Sequence, residues 1–171
     1  SCLENPTDTN VLDNLDTGTE ILNYFEVNGD FINSHEMPSL KTADEVSSDL
    51  ENFLIIDVRE NDEFISGHID GSINLVGAEI LNYIENLDEK ENRDIILVSS
   101  TGEAAAYYNC LLRLLGHNNT FALKHGIAVW HNDFSYIWVN SLRSNEDFSV
   151  DYLKFNDITY ERGEYNNLPK I

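Results

Sequence analysis

Two uninterrupted apolar segments, FLIIDV at residues 53–58 and DIILVS at residues 94–99, constrain the fold more than any other feature. Such runs are typical of strands that are buried on both faces, as in parallel sheets. A shorter strand pattern lies at residues 72–75, and residues 119–126 have the pattern of a strand and a turn. Helical patterns lie between the strands, and the longest, EAAAYYNCLLRLLG, ends at Gly116, a common residue at a helix C-terminus. Strands that alternate with helices predict an α/β fold, in which a central parallel sheet has helices on both faces.

The chain divides into three parts by composition. Residues 1–20 form a polar leader, residues 21–134 carry the α/β pattern with an N-terminal helical extension, and residues 135–171 form an aromatic-rich extension and linker. Thr42 and Glu45 have the spacing of a capping box and predict a helix start. The aromatic side chains of the last part are expected to pack on the domain rather than to line a ligand site.

The charge balance limits the partners of the protein. It has 31 acidic and 10 basic side chains, a formal net charge of −21 at pH 7. Such a field repels nucleic-acid phosphates and anionic lipid headgroups, so neither is an expected partner. The sequence has no apolar run of the ~18–20 residues that a transmembrane span requires.

The first ten residues, SCLENPTDTN, resemble the start of a mature bacterial lipoprotein, in which the cysteine carries the lipid. Cys2 is therefore a candidate for lipidation and for a lipid anchor. This interpretation favours an extracytoplasmic location, periplasmic or at the cell surface of a bacterium, and leaves a cytoplasmic location open.

A candidate site follows the second apolar run, where a short loop leads into the long helix. Backbone N–H groups of such a loop converge at the helix N-terminus and, with the positive end of the helix dipole, form a cradle for anions. Glycine gives the loop the conformational freedom that it needs. The predicted anion-binding loop comprises Ser99, Ser100, Thr101, Gly102, Glu103 and Ala104.

The segments FLIIDVRENDEFISGHIDGSINL and DIILVSSTGEAAAYYNCLLRLLGHNNTFALKHGIAVWHND resemble the two halves of the rhodanese (sulfurtransferase) family, over roughly residues 38–134. The resemblance implies a rhodanese-like fold with a sheet of about five strands. It also implies that Asp57, Arg59 and His68 support the site by shaping the structure beside the active loop. The family's chemistry uses a cysteine, which takes up sulfane sulfur as a persulfide and passes it to a nucleophile.

Ser99 stands at the family's cysteine position, and this substitution argues against sulfur transfer. A serine hydroxyl does not ionise near neutral pH and cannot carry a persulfide, and no general base is evident beside it. Glu103 would place a negative charge at the mouth of the cradle. Cys110 lies about three helical turns further along and is expected in the core. No residue is therefore assigned as catalytic.

The expected function is that of a catalytically inactive rhodanese-like domain, which binds a partner protein or a small sulfur-containing anion. The alternative is a supporting domain of a tandem sulfurtransferase whose active cysteine lies in a following domain. A serine hydrolase is disfavoured because the G-x-S-x-G motif is absent. The five histidines lack the spacing of a zinc site, so neither a metal nor a cofactor is expected.

Overall fold

The computed structural model of the chain describes residues 17–27, 38–88, 91–142, 156 and 158–162. Two compact units, Ser1–Pro38 and Ser39–Ile171, make up the chain. The first contains helix α1 (Thr17–Val27). The lipidation candidate Cys2 lies outside the described residues, and so does most of the proposed linker. The predicted division at residues 20 and 134 stays a prediction.

The second unit contains a five-stranded sheet. Its strands are β1 (Leu40–Lys41), β2 (Phe53–Asp57), β3 (Ile73–Asn74), β4 (Asp94–Val98) and β5 (Thr120–Leu123). They are arranged in the order β1-β5-β4-β2-β3, and every neighbouring pair is parallel. The predicted α/β fold with a parallel sheet is confirmed, and β1 is the strand that the sequence pattern did not indicate.

Helices alternate with the strands, as the sequence pattern predicted, and a further helix follows the last strand. They are α2 (Ala43–Ser47), α3 (Asn61–Ser66), α4 (Ala78–Glu85), α5 (Glu103–Leu114) and α6 (Tyr136–Leu142), with short 3-10 helices at Leu50–Asn52, Ile127–Val129 and Asn132–Phe134. The segment IAVWHNDF forms the last two of these 3-10 helices. Within the parts of the chain that the structure describes, no helix combines the length and apolarity that crossing a membrane requires.

The apolar strands are buried on both faces of the sheet because successive side chains point to opposite sides. In β4, Ile96 and Val98 join one core cluster, whereas Ile95 and Leu97 join the other. The first cluster also takes residues of α2 and the buried Trp130. The second lies under α4 and α5. The continuous apolar runs are therefore required by a sheet that is covered on both sides.

Part of the C-terminal segment is anchored to this domain. The backbones of His68 and Glu161 form an isolated antiparallel bridge, with both N–H···O distances at 2.8 Å. The indole N–H of Trp130 donates to the carbonyl of Thr159 at 3.0 Å. Tyr160 packs against the first core cluster, as predicted for the aromatic residues of this region.

Helix α2 begins with the predicted capping box. The Glu45 backbone N–H donates to Thr42 Oγ1 at 3.3 Å, and the Thr42 backbone N–H donates to Glu45 Oε2 at 2.7 Å. We expect Thr42→Ala to lower the free energy of unfolding by about 1 kcal/mol. Urea unfolding monitored by circular dichroism would measure this, with the exposed Glu51→Gln as a control that changes stability by less than about 0.5 kcal/mol.

The same cap gives a pH dependence. The backbone N–H and the hydroxyl of Thr42 lower the pKa of Glu45 below its ordinary value of 4.5. A carboxylate whose pKa is lowered by folding stabilises the protein above its unfolded pKa, and this contribution is lost as the pH falls through the folded value. Glu45→Gln should therefore destabilise the domain at pH 7 and lose its effect in that acidic range. If Glu45→Gln destabilised the domain equally at pH 7 and below the folded pKa of Glu45, the carboxylate would not be the cause of the pH dependence.

Candidate functional site

The loop between β4 and α5 lies at the carboxyl edge of the sheet. Ser99 follows the last residue of β4 and is buried, and α5 begins at Glu103 after Gly102, whose φ is +105°. The hydroxyl of Ser99 accepts from the backbone N–H of Gly102 at 3.1 Å and from that of Ala105 at 3.2 Å. The serine thus occupies two of the donors that would otherwise face an anion.

Gly126 lies against the backbone of the loop between β4 and α5. The Ile127 backbone N–H donates to the carbonyl of Ser99 at 2.9 Å, which draws the glycine against the loop. The preceding His125 has a positive φ of 65°. Desolvation lowers the pKa of His125, the nearby Lys124 lowers it further, and the carboxylate of Glu103 opposes the shift. The loop is therefore held by backbone contacts on its inner side.

Carboxylates line the mouth of the loop. A cleft of about 360 Å³ is lined by Val58, Arg59, Glu60, Glu63, Ser99, Ser100, Thr101, Glu103 and Ala104. The hydroxyl of Ser100 donates to Glu63 Oε1 at 3.1 Å, and the hydroxyl of Thr101 donates to the Glu103 carboxylate. Three glutamates and one arginine thus surround the opening, and two of the glutamates are held in place by hydroxyl groups of the loop itself.

Arg59, the basic residue of this cleft, is already paired. Its guanidinium forms a buried ion pair with Asp57, with Nη2 at 2.6 Å from Oδ2 and Nε at 2.9 Å from Oδ1. The same Nη2 donates to the carbonyl of Gly67 at 2.8 Å. The Asn74 amide donates to the carbonyls of Asp57 and Arg59. These contacts hold β2, β3 and the following loop together.

His68 lies away from the cleft. Its ring stacks on Phe64 with 3.8 Å between the centroids, and Nδ1 lies 2.9 Å from the Phe64 carbonyl. Its other nitrogen lies 3.4 Å from the carboxylate of Glu161. The structure therefore brings Asp57 and Arg59 to the loop but places His68 in the contact with the C-terminal segment.

Two side chains of the cleft were missed from the sequence. Glu60 and Glu63 lie at the start of α3. Their position just after β2, the strand beside β4, was the signal that could have placed them near the loop. A further expectation was wrong: Cys110 is half-buried rather than a core residue, because its side of α5 is only partly covered.

The protein is thus a doubly wound parallel α/β domain, and its candidate site is the loop at the N-terminus of α5. Within this class, the model of the rhodanese-like domain matches residues 42–133, more than half of the chain. The chain therefore belongs to the rhodanese-like domain family.

Curated relatives agree with this membership. The chain is 35% identical to the uncharacterized protein YibN of Escherichia coli over 81 residues, which is 47% of this chain and 57% of YibN. It is 31% identical to the thiosulfate sulfurtransferase GlpE of Shewanella oneidensis over 80 residues, 45% of this chain and 74% of that protein. The match thus spans little more than half of the length of YibN.

A solved structure shares the fold. The crystal structure of a thiosulfate sulfurtransferase from Pseudomonas aeruginosa matches with a TM-score of 0.52 and 20% identity. The match covers 74% of this chain and 20% of that chain. At this identity, the similarity concerns the arrangement of helices and strands.

Proposed function

We propose that this chain is a rhodanese-like domain without sulfurtransferase activity at its loop, and that it acts by binding a partner protein. The observation that carries the proposal is the position of Ser99. Its hydroxyl lies at the end of β4 and accepts hydrogen bonds from the backbone N–H groups of Gly102 and Ala105, which would otherwise be free to bind an anion. A hydroxyl at this position cannot take up and release sulfur at neutral pH.

The charges at the cleft favour a protein over a small anion as the ligand. Glu60, Glu63 and Glu103 line the opening, and the guanidinium of Arg59 is neutralised by Asp57. A thiosulfate dianion would approach against these carboxylates, in a domain that is itself strongly acidic. Small-anion binding therefore remains the weaker form of the proposal.

The test is thiosulfate:cyanide sulfurtransferase turnover, measured together with intact mass. In the reaction, a thiolate attacks the sulfane sulfur of thiosulfate, the S–S bond of thiosulfate breaks, sulfite leaves and a persulfide forms. Cyanide then takes the outer sulfur as thiocyanate and restores the thiolate. We expect no turnover from the unmodified chain. Turnover by the unmodified chain would refute the proposal.

Ser99→Cys separates the missing nucleophile from the altered surroundings. We expect this variant to gain one sulfur atom on the introduced cysteine, and Glu63→Gln with Glu103→Gln in the same chain to speed this step roughly tenfold. Ser48→Cys is the matched control, because this exposed serine caps the C-terminus of α2. Peptide mapping distinguishes the introduced thiol from Cys2 and Cys110. If the variants that carry Ser99→Cys also remain inactive, restoring the nucleophile is not enough for sulfur transfer at this loop. That result would favour protein binding further.

The alternative function is a supporting domain of a tandem sulfurtransferase. In that case, a longer protein that contains this domain would turn over thiosulfate through a cysteine outside residues 1–171. Its activity would also be insensitive to Ser99→Ala. Sulfurtransferase assays on the natural protein decide between this alternative and the proposed binding role.

An extracytoplasmic location, with Cys2 as the lipid-bearing residue, is part of the same proposal. Its support is the polar N-terminal sequence that begins SCLENPTDTN. Mass spectrometry of the N-terminal peptide from the natural host should find a diacylglyceryl group on Cys2. An unmodified Cys2 in cytoplasmic fractions would contradict it.

A further inference from the structure

An exposed apolar groove runs between α4 and α5, on the face of the sheet above the second core cluster. Tyr107, Leu111 and Leu115 are 61%, 40% and 60% exposed. They recur at every fourth residue and so form a stripe along one side of α5 and its end. Ala78 and Leu81 of α4 line the opposite side of the groove, whose volume is about 550 Å³. Contiguous exposed apolar surface of this kind is typical of interaction sites.

The charges beside this groove have one sign. Helices α4 and α5 carry Glu79, Glu85 and Glu103. Arg113 is the basic residue on these two helices, but it is buried and its guanidinium donates to the Thr120 carbonyl. The groove therefore has an apolar lining, and the exposed charged side chains on the two helices that form it are acidic.

The helical spacing places two of these residues on the helix faces that carry groove residues, although Glu103 also lines the cleft beside Ser99. Glu103 precedes Tyr107 by four residues on α5, and Glu85 follows Leu81 by four residues on α4. Residues four apart lie on the same face of a helix. A ligand in the groove would thus meet apolar side chains along its length and negative charge near opposite ends of the two helices.

We propose that this groove binds a basic amphipathic helix of a partner protein. The proposal rests on the binding role proposed above and adds its surface and the chemistry of its partner. The stripe from Tyr107 to Leu115 is about 12 Å long, which accommodates about two turns of helix. Apolar side chains of the partner would enter the groove, and lysine or arginine residues beside them would face Glu85 and Glu103. A second copy of this chain fits less well, because each copy has a net charge of −21.

The test uses a synthetic peptide of about 18 residues that contains only leucine and lysine, with the leucines at i, i+3, i+4 and i+7. Its control has the same composition in a scrambled, non-amphipathic order. Titration of the full chain, followed by fluorescence anisotropy and by amide chemical shifts, should give at least tenfold tighter binding of the amphipathic peptide. The shift changes should lie in residues 78–81 and 107–115.

Variants assign the binding to the groove. Leu111→Glu should weaken binding of the amphipathic peptide at least tenfold, and Tyr107→Ser should weaken it severalfold without placing a charge in the domain. Tyr136→Glu is the matched control, since Tyr136 is also a large exposed side chain but lies on α6. It should change the affinity less than twofold. Circular dichroism establishes that each variant is folded.

Several results would overturn the proposal. These are equal affinity for the scrambled peptide, an equal loss in Tyr136→Glu, or shift changes outside the groove. A wild-type dimer that Leu111→Glu converts to a monomer would identify a second copy as the occupant. Intramolecular nuclear Overhauser contacts from Leu111 to a segment outside α4 and α5 would identify that segment of the same chain as the occupant of the groove. Failure here is distinguishable from failure of the proposed function, which is decided by thiosulfate turnover.

Discussion

Asp57→Ala is expected to lower the free energy of unfolding by about 3–5 kcal/mol, the cost of leaving a buried charge without its partner. The Asp57 carboxylate accepts from the side chain of Arg59 and from its backbone N–H. Both side chains are buried, so water cannot replace the carboxylate. Urea or thermal unfolding, monitored by circular dichroism, would measure the loss.

If the unpaired charge of Arg59 causes the loss, removing that charge should restore stability. Arg59→Met in the Asp57→Ala background removes the unpaired charge and should recover at least half of the lost stability. Asp62→Ala changes an exposed carboxylate of α3 and should alter stability by less than about 0.5 kcal/mol. If the double variant is no more stable than Asp57→Ala, the charge is not the cause, and the loss would be attributed to packing around β2.

Gly126→Ala is expected to destabilise the domain by roughly 3 kcal/mol and to displace the loop, through close contact and a left-handed backbone together. A Cβ atom at this position would lie 2.3 Å from the Ser99 carbonyl oxygen and 2.7 Å from the backbone nitrogens of Thr101 and Gly102. These neighbours are all backbone atoms and cannot rotate away. Unfolding measurements give the energy, and amide exchange at residues 99–102 reports the displacement.

Gly71→Ala provides the matched control. Gly71 has a similar φ of +73°, but an added Cβ would meet nothing within 4 Å. The control should therefore show only the cost of the left-handed conformation, about 1–2 kcal/mol, and leave amide exchange in the loop unchanged. Equal losses for the two variants would show that contact with the loop has no energetic effect.

The two variants probe different supports of the same loop. Asp57 and Arg59 hold the adjacent strand and the Gly67 carbonyl, whereas Gly126 contacts the loop backbone directly. Ser99 completes the arrangement by accepting two backbone N–H groups. The loop is therefore supported on two sides and has a hydroxyl at its base.

Much of this framework could be predicted from short sequence patterns. The runs FLIIDV and DIILVS required burial on both faces, which only a sheet covered by helices provides. Thr42 and Glu45 predicted the start of α2, because a capping box depends on residues three apart. The loop after β4 was predicted because a strand, a glycine and a helix follow one another within a few residues.

Strand β1 could not be predicted in this way. Leu40 and Lys41 are two residues long as a strand and have no periodic pattern of their own. They adopt the strand conformation because they pair with Ala122 and Leu123 of β5, some 80 residues further along the chain. The contact of residues 158–162 with His68 and Trp130 was hidden for the same reason.

Local sequence patterns and composition are enough to predict the parallel α/β fold, the strand-loop-helix unit that presents Ser99, and the excess of negative charge. These depend on local periodicity and on composition, which do not change when the chain folds. The packing of the folded domain, by contrast, sets the hydrogen bonds of the Ser99 hydroxyl with Gly102 and Ala105, and it brings Glu60, Glu63 and Glu103 to one cleft. It also left the stripe on α5 uncovered. Each of these depends on how neighbouring elements pack, because a side chain's partners across a sheet edge come from distant parts of the sequence.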